Sequence, residues 1–387
     1  MTARPVSSHS HFQNYHPNTE EHPMTPTTTT RPTTTRPTTT APTPQAGPSI
    51  PRTMRAAVQS RYGAVPEDVL ELADVPVPDI SDDDVLIEVR AASVDRGTWH
   101  VMAGLPYAMR FAGFGVRRPA AINPGRSVAG VVVRAGSRSL GFRPGDEVYG
   151  ICEGGSFAEY AAASARKIAL KAPTISFEEA AALPVSGITA LQAVRDHAAV
   201  EAGDDVLVLG ASGGVGMFAS QIALARGASV TGVCSTGKVA AVRRLGVDRV
   251  IDYTVEDPLA GHRYDTILDI GGCSPLGRLR SALVPDGRLV IVGGESDGRL
   301  FGVGRQVRAL LWSPFVGQRL RSFVTSENSG DLEALRSLVE AGVVSPSVDD
   351  VFALDETPRA IRALIDGRVS GKAVISVSGP DSRVWSR

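Results

Sequence analysis

Val206-Leu-Val-Leu-Gly-Ala-Ser-Gly-Gly-Val-Gly216 reads as a buried strand that runs straight into a glycine turn. A helix follows, with Phe218, Ile222 and Leu224 at near-helical spacing. Such a turn aims several backbone N–H groups, and the positive end of the helix dipole, at one point. That is an anion site, and after a strand it is a pyrophosphate site. The candidate set is Ala211, Ser212, Gly213, Gly214, Val215 and Gly216. Gly213 admits the phosphate close to the backbone, and Gly216 lets the helix pack tightly on the strand. Ala211 stands where the dinucleotide fingerprint has its first glycine. A glycine turn of purely structural origin is the competing reading.

The next strand, in Ala228-Ser-Val-Thr-Gly-Val-Cys-Ser-Thr-Gly-Lys238, ends at Cys234 and Ser235. An NAD-binding chain places Asp or Glu here, to accept hydrogen bonds from the ribose hydroxyls. This chain offers instead the Ser235 and Thr236 hydroxyls and the Lys238 ammonium, with Arg243 and Arg244 beyond. A carboxylate repels a ribose 2′-phosphate, whereas hydroxyls and an ammonium bind it. The expected cofactor is NADPH. Ser235 and Thr236 are also suited to cap the next helix, and the two roles can coexist.

At 387 residues the chain has room for about two domains of ~150 residues each. A formal net charge of −1 gives no electrostatic reason to expect a nucleic acid or an acidic membrane surface as partner. Cys152, Cys234 and Cys273 are far apart, which excludes a disulfide framework or a four-cysteine zinc lobe and suits a reducing cytoplasm. No apolar run approaches the ~20 residues of a membrane span, and the expected location is cytoplasmic.

Residues 1–53 differ from all that follows. They hold a tandem Arg-Pro-Thr-Thr-Thr (31–35 and 36–40) in a Thr/Pro tract with few large apolar residues. The expectation is a disordered extension, with Met54 or Met24 as alternative starts. From 54 to about 172, short strands and turns such as Val85–Arg90 and Val128–Arg134 have β-barrel texture. From 173 to 315, strands at 206–209, 229–233, 249–252, 266–270 and 288–292 alternate with helices, which argues for a doubly wound parallel sheet. Residues 316–387 are expected to return to the first domain, the strand in Gly371-Lys-Ala-Val rejoining it. The basic stretch 304–321 is read as an interdomain helix broken at Pro314. Its apolar face of Val303, Val307, Leu310 and Leu311 is expected to line the cleft or a subunit contact.

These residues carry a family resemblance. Met54 to Val377 resembles the medium-chain dehydrogenase/reductase superfamily, in its zinc-independent quinone oxidoreductase branch. It does so through Gly125-Arg-Ser-Val-Ala-Gly130, Pro144-Gly-Asp-Glu-Val-Tyr-Gly150, Gly155-Ser-Phe-Ala-Glu-Tyr160 and Ala181–Ala190. The glycine turn, Leu245–Tyr253 and Gly371-Lys-Ala-Val complete the match. The resemblance implies a GroES-like barrel domain plus a Rossmann domain, an active site in the cleft between them, and a homodimer. In zinc-holding relatives the metal is bound by an early Cys, a Gly-His-Glu motif and a further Cys or Asp. Those positions here fall on Asp95, Gly125-Arg126-Ser127 and near Val185, too few ligands for an open zinc site. No metal is expected.

Without a Lewis acid, reduction of a conjugated carbonyl is the easier chemistry, because the developing oxyanion needs only hydrogen-bond donors. The segment Val94–His100 lies at the cleft in related proteins. Family positions that usually carry Asn, Asp and an aromatic donor read Asp95, Thr98 and His100. His100 is the candidate proton donor, since an unperturbed imidazole titrates near pH ~6.5, and a histidine that braces the cleft wall is the competing reading. Tyr107 is a second donor, and Asp95 either orients a neighbour, contacts cofactor ribose or satisfies loop N–H groups. The resemblance sets Thr189 against the nicotinamide and Tyr253 near the 2′-phosphate. Gly293 and Gly294 would admit cofactor and substrate to the backbone. The expected function is NADPH-dependent reduction of quinones or other α,β-unsaturated carbonyls. The alternatives are a metal-free NADP-dependent alcohol dehydrogenase or ketone reductase, and a non-catalytic NADPH sensor.

Overall fold

Asp205–Leu209, the apolar strand before the glycine turn, lies inside a six-stranded parallel sheet in the computed structural model. The model describes residues 50–108, 110–272, 274–293 and 304–377. The strands run in the spatial order Arg249–Asp252, Ser229–Cys234, Asp205–Leu209, Tyr264–Asp269, Leu283–Ile291 and Arg319–Ser322. Near-continuous apolar strands are what burial on both faces requires. Val206, Leu207, Val208 and Val230 have no exposed surface at all. The order reverses between Asp205–Leu209 and Tyr264–Asp269. Crossovers therefore leave on opposite faces there, opening a crevice at the carboxyl ends of the strands. The sixth strand, Arg319–Ser322, carries the sheet beyond the expected boundary at 315. Its Arg-Leu-Arg-Ser sequence buries only Leu320, so it lacks the apolar run that marked the other five.

The barrel sheet has seven strands: Val348–Ala353, Lys372–Ser376, Asp84–Val94, Ser127–Ala135, Glu147–Ile151 and Ile168–Leu170 in order, with Tyr160–Ser164 also pairing Asp84–Val94. A separate antiparallel pair, Thr53–Gln59 with Leu70–Pro76, bridges to it at Ala56 and Ala158. The C-terminal strand does rejoin this sheet, pairing antiparallel with Asp84–Val94. The extension expected over 1–53 lies outside the described residues as far as 49.

The two domains share apolar core. Ala91, Ala129, Tyr149 and Val374 of the barrel sheet belong to one buried cluster with Leu183, Ile188, Val206 and Phe218. The helix Pro184–Gln192 packs against Gly214–Ala225, and the buried Tyr149 hydroxyl donates to Leu332 O at 2.6 Å. In the helix Gly304–Trp312 the apolar face turns away from the chain's own interior, the side a subunit contact would use and a cleft lining would not. The helix buries Arg305 and Ala309 and exposes Val307, Leu310 and Leu311. Arg305 pairs with the buried Asp269 carboxylate, which turns the polar side of the helix inward. Val303 lies outside the described residues.

Candidate active site

The glycine turn sits at the point where the strand order reverses. Gly210 takes φ +92°, a left-handed conformation open to glycine, and the helix Gly214–Ala225 starts from Gly213 as its cap. A Cβ on Gly216 would fall 2.1 Å from Gly210 O and 2.8 Å from Ala211 Cα, so this position admits glycine alone. A Cβ on Gly213 would find only Gly210 O, at 3.5 Å. The turn is thus closed toward the strand and open outward. The first intrahelical bond is Met217 N–H to Gly213 O. Gly213 N–H turns back to Gly210 O at 3.1 Å, so the amides left to the crevice are those of the first helical turn, from Gly214 on. Ser212, Gly213, Gly214 and Val215 are partly exposed along this edge. These residues fit a dinucleotide pyrophosphate.

Ala211 takes no part in that edge. It is fully buried, and its amide donates to Val233 O at 3.0 Å. The fingerprint's first position therefore serves strand packing here. Gly293 is also explained by packing: a Cβ there would meet Ile270 O at 2.1 Å. Gly294 lies outside the described residues.

Ser235, Thr236 and Lys238 follow directly on the end of Ser229–Cys234, and Tyr253 joins that end through its backbone. The Thr236 and Thr254 hydroxyls lie 2.9 Å apart, and Tyr253, whose amide donates to Cys234 O, is 58% exposed. Exposure of that size excludes core packing as the role of Tyr253. Ser235 precedes a short turn of helix without a side-chain capping bond. Lys238 donates through Nζ to Val369 O at 2.6 Å, so its ammonium is anchored from the barrel domain. Burial pulls the Lys238 pKa below the usual lysine range, against the opposing charge of Asp349.

The segment expected at the cleft forms the helix Arg96–Ala103. Asp95 caps it, with Oδ1 accepting from Thr98 N–H at 3.0 Å. Thr98 departs from the expected cleft position. It lies one turn from Met102 on the buried face of this helix, and no part of it is exposed. His100 faces the other way, half-buried, with its Nδ1–H donating to Leu105 O at 2.9 Å and its ring edge-on to Trp99. That bond sets the ring plane and the tautomer. Tyr107 is 39% exposed and lies against Arg110, whose guanidinium also covers the Tyr62 ring at 4.2 Å. Beside this helix is a cavity of about 640 Å³, walled by Val101, Phe114, Ala120 and Ile122 and charged at one end by Arg126 and Glu153. Apolar walls with a few polar groups are the usual form of a small-molecule site.

The three positions compared with a zinc site have other occupations. Asp95 is the helix cap, Val185 gives its carbonyl to the Thr189 hydroxyl at 2.7 Å, and Arg126 pairs with Glu327 at 2.8 Å. Among the described residues no three His, Cys, Asp or Glu side chains gather in a way that suits a metal ion. Nor, among them, is any helix long and apolar enough to cross a membrane.

Sequence reasoning missed the loop 323–328. Thr325 lies 2.9 Å from the Thr189 hydroxyl, the Gln192 amide brackets Ser326, and Glu327 reaches Arg126 and Lys167. Gln192 and Arg195 also donate to Asp331 at 2.7 and 2.8 Å. The loop thus links the Thr189 helix to the cavity wall. Nothing in its local pattern signals those distant partners. Lys372 was also missed, although a lysine opening the apolar run Lys-Ala-Val-Ile signals a buried charge.

Comparison with known proteins agrees with this geometry. Residues 81–174 match the alcohol dehydrogenase GroES-like domain, and residues 245–375 match the zinc-binding dehydrogenase family. The chain is 36% identical to 2-methylene-furan-3-one reductase of Solanum lycopersicum, over 84% of this chain and 80% of that one. It is 34% identical to the chloroplastic NADPH-dependent alkenal/one oxidoreductase of Arabidopsis thaliana, over 85% and 81%. Among solved structures it resembles the quinone oxidoreductase from Coxiella burnetii, with a TM-score of 0.72 and 30% identity, over 84% of this chain and 100% of that one.

Proposed function

The chain belongs to the medium-chain dehydrogenase/reductase superfamily, in its quinone oxidoreductase-like branch, and we propose that this oxidoreductase is an NADPH-dependent, zinc-independent reductase of quinones and other α,β-unsaturated carbonyls. The observation that carries the cofactor choice is the end of strand Ser229–Cys234. Ser235, Thr236 and Lys238 follow that strand end, and the exposed Tyr253 bonds it through its amide, where NAD-binding chains have a carboxylate. For the substrate, the reading draws support from the relatives' named activities on a methylene-furanone and on alkenals and enones. The cavity walled by Val101, next to His100 in the chain, and by Phe114, Ala120 and Ile122 suits an uncharged conjugated carbonyl.

Bound NADPH supplies the hydride. The first-turn amides from Gly214 on would hold its pyrophosphate, with Gly213 leaving room for it, while Ser235, Lys238 and Tyr253 would hold its 2′-phosphate. Thr189, partly exposed on its helix, borders the nicotinamide pocket. With Nδ1–H bonded to Leu105 O, His100 carries a proton on Nε2 only as the imidazolium; in that form it would give this proton to the reduced substrate's oxygen or carbon and be reprotonated from solvent. Arg126 and Glu153 supply the charged edge of the pocket, and Tyr107, partly exposed against Arg110, is the second donor proposed. Arg126, occupied by Glu327, supports the zinc-independent reading, since a guanidinium is no metal ligand.

The same reading makes the protein a cytoplasmic homodimer. The buried thiols of Cys152 and Cys234 suit a reducing compartment. The outer edge of Arg319–Ser322 is unpaired among the described residues, with exposed Leu310, Phe315 and Val324 nearby in sequence.

The test is NADPH consumption by the purified protein against quinones, enones and simple ketones, with and without a chelator. Chelator-insensitive turnover of the conjugated substrates is the expected result. Turnover confined to simple ketones, or lost to the chelator, would sink the proposal. A His100→Ala variant should lose kcat by about 10²–10⁴-fold if His100 handles the proton.

A further inference from the structure

Lys372 is a lysine almost wholly inside the protein, 2% exposed at the first position of the strand Lys372–Ser376. Its Nζ donates to the Ser186 hydroxyl at 3.2 Å, the one hydrogen bond the described residues give that ammonium. Its methylene stem lies directly against the glycine turn: a Cβ on Gly214 would fall 2.8 Å from Lys372 Cδ and 2.9 Å from Ser186 Oγ. The preceding residue locks onto the same turn, with Gly371 N–H donating to Ser212 O at 2.8 Å. On the barrel side, the antiparallel register pairs Ala373 with Val94. That register brings the next residues, Lys372 and Asp95, to the same end of the sheet. Asp95 is 7% exposed; its Oδ1 caps the helix of His100, and its Oδ2 is buried without a hydrogen-bond partner.

This arrangement is unfavourable for an empty protein. Burial pulls the Lys372 pKa below the usual lysine range, and only Asp95 pulls it back. The ammonium also stands behind the N-terminus of Gly214–Ala225, where the helix dipole is positive and a cation is disfavoured. An apolar side chain of similar length would avoid both costs. An anion at the turn removes them, because it is attracted at once by the dipole, the turn amides and the buried charge.

We propose that Lys372 is a positioning residue for the dinucleotide diphosphate, a buried cation that the barrel domain sets behind the glycine turn and that Asp95 balances while the turn is empty. Through Asp95 the same charge borders the cap of the helix that carries His100, so the diphosphate and the reactive segment share one electrostatic support. The inference rests on the dinucleotide reading of the turn and is independent of which carbonyl is reduced.

The test is calorimetric binding of NADPH to the full chain without substrate, alongside thermal melting of the unliganded protein. Lys372→Met combined with Asp95→Asn keeps a capping side chain and leaves no lone buried charge. It should melt at or above the wild-type temperature yet bind NADPH at least tenfold more weakly. Adenosine 2′-monophosphate, which has no diphosphate, should bind both proteins equally, and Lys372→Arg should recover NADPH binding to within about threefold. A structural role predicts the reverse pattern, lower melting with unchanged affinity, and would overturn the proposal. If the double variant fails to fold, Lys372→Gln alone serves as the neutral variant, judged on the affinities for NADPH and adenosine 2′-monophosphate and not on melting, because it leaves Asp95 unbalanced. Wild-type protein that binds no NADPH would overturn the cofactor reading and this inference together. Wild-type binding matched by the neutral variant overturns this inference alone.

Discussion

Arg126 on the barrel domain and Glu327 on the loop leaving the nucleotide sheet meet at 2.8 Å, and Lys167 joins the same carboxylate at 3.2 Å. Glu327 retains 15% of its side-chain exposure and Arg126 30%, so the pair is only partly screened by solvent. Double-mutant analysis with Arg126→Ala and Glu327→Ala should give a coupling energy of about 0.5–3 kcal/mol in chemical denaturation. The coupling should shrink in molar salt. Independent, additive effects of the two substitutions would mean that the contact does not act as a pair.

The two inner glycines should separate folding from binding. Gly216→Ala drives a methyl group into the Gly210 carbonyl and should cost about 1–3 kcal/mol of stability in denaturant titrations. Gly213→Ala meets no close atom, at φ −86°. It should fold normally and raise the Kd for NADPH by about tenfold. Equal effects on folding from both would contradict the closed-inside, open-outside geometry.

Cofactor choice should be reversible at one position. Ser235→Asp restores a carboxylate at the end of Ser229–Cys234, where it would face the 2′-phosphate. The ratio of kcat/KM for NADPH over NADH should fall on the order of a hundredfold. An unchanged ratio would place the 2′-phosphate elsewhere.

Asp331 supplies a pH dependence with a definite sign. Burial raises its pKa, but hydrogen bonds from Arg195, Gln192 and Asn328 outweigh burial and hold it below the usual carboxylate range. A carboxyl depressed in the folded state stabilises that state above its unfolded pKa of about 3.9. The contribution is lost as pH falls through the lower folded value. Between pH ~5 and ~3 the wild-type melting temperature should therefore fall more steeply than that of Asp331→Asn. Parallel curves would remove Asp331 as the loop's anchor.

Much of the nucleotide sheet was legible because its order is written locally. Five apolar strands and the helices between them can be read from periodicity, and the glycine turn from its spacing. The sixth strand could not be read this way, since Arg-Leu-Arg-Ser is an edge strand with one buried side chain. Thr98 misled for a related reason: its position in the motif was apparent, but which face of the helix Arg96–Ala103 meets the core depends on what packs there. Which side of Gly304–Trp312 faces inward could not be read either, because Arg305 is drawn to the buried Asp269 carboxylate and the Gly272 carbonyl, partners 36 and 33 residues away.

The sequence by itself determined the architecture, the glycine turn and the hydroxyls and ammonium that follow the second strand in place of a carboxylate. Each depends on residues within a strand, a turn and the helix after it, whose backbone geometry follows from their own side chains. Only the tertiary structure decided that Arg126 is held by Glu327, that Lys238 is anchored at Val369 O, and that Lys372 sits behind the glycine turn across from Asp95. Those pairings join residues roughly 130 to 280 positions apart in the chain. No local preference encodes them, because a buried charge takes its partner from whatever chain packing brings within reach in a low-dielectric interior.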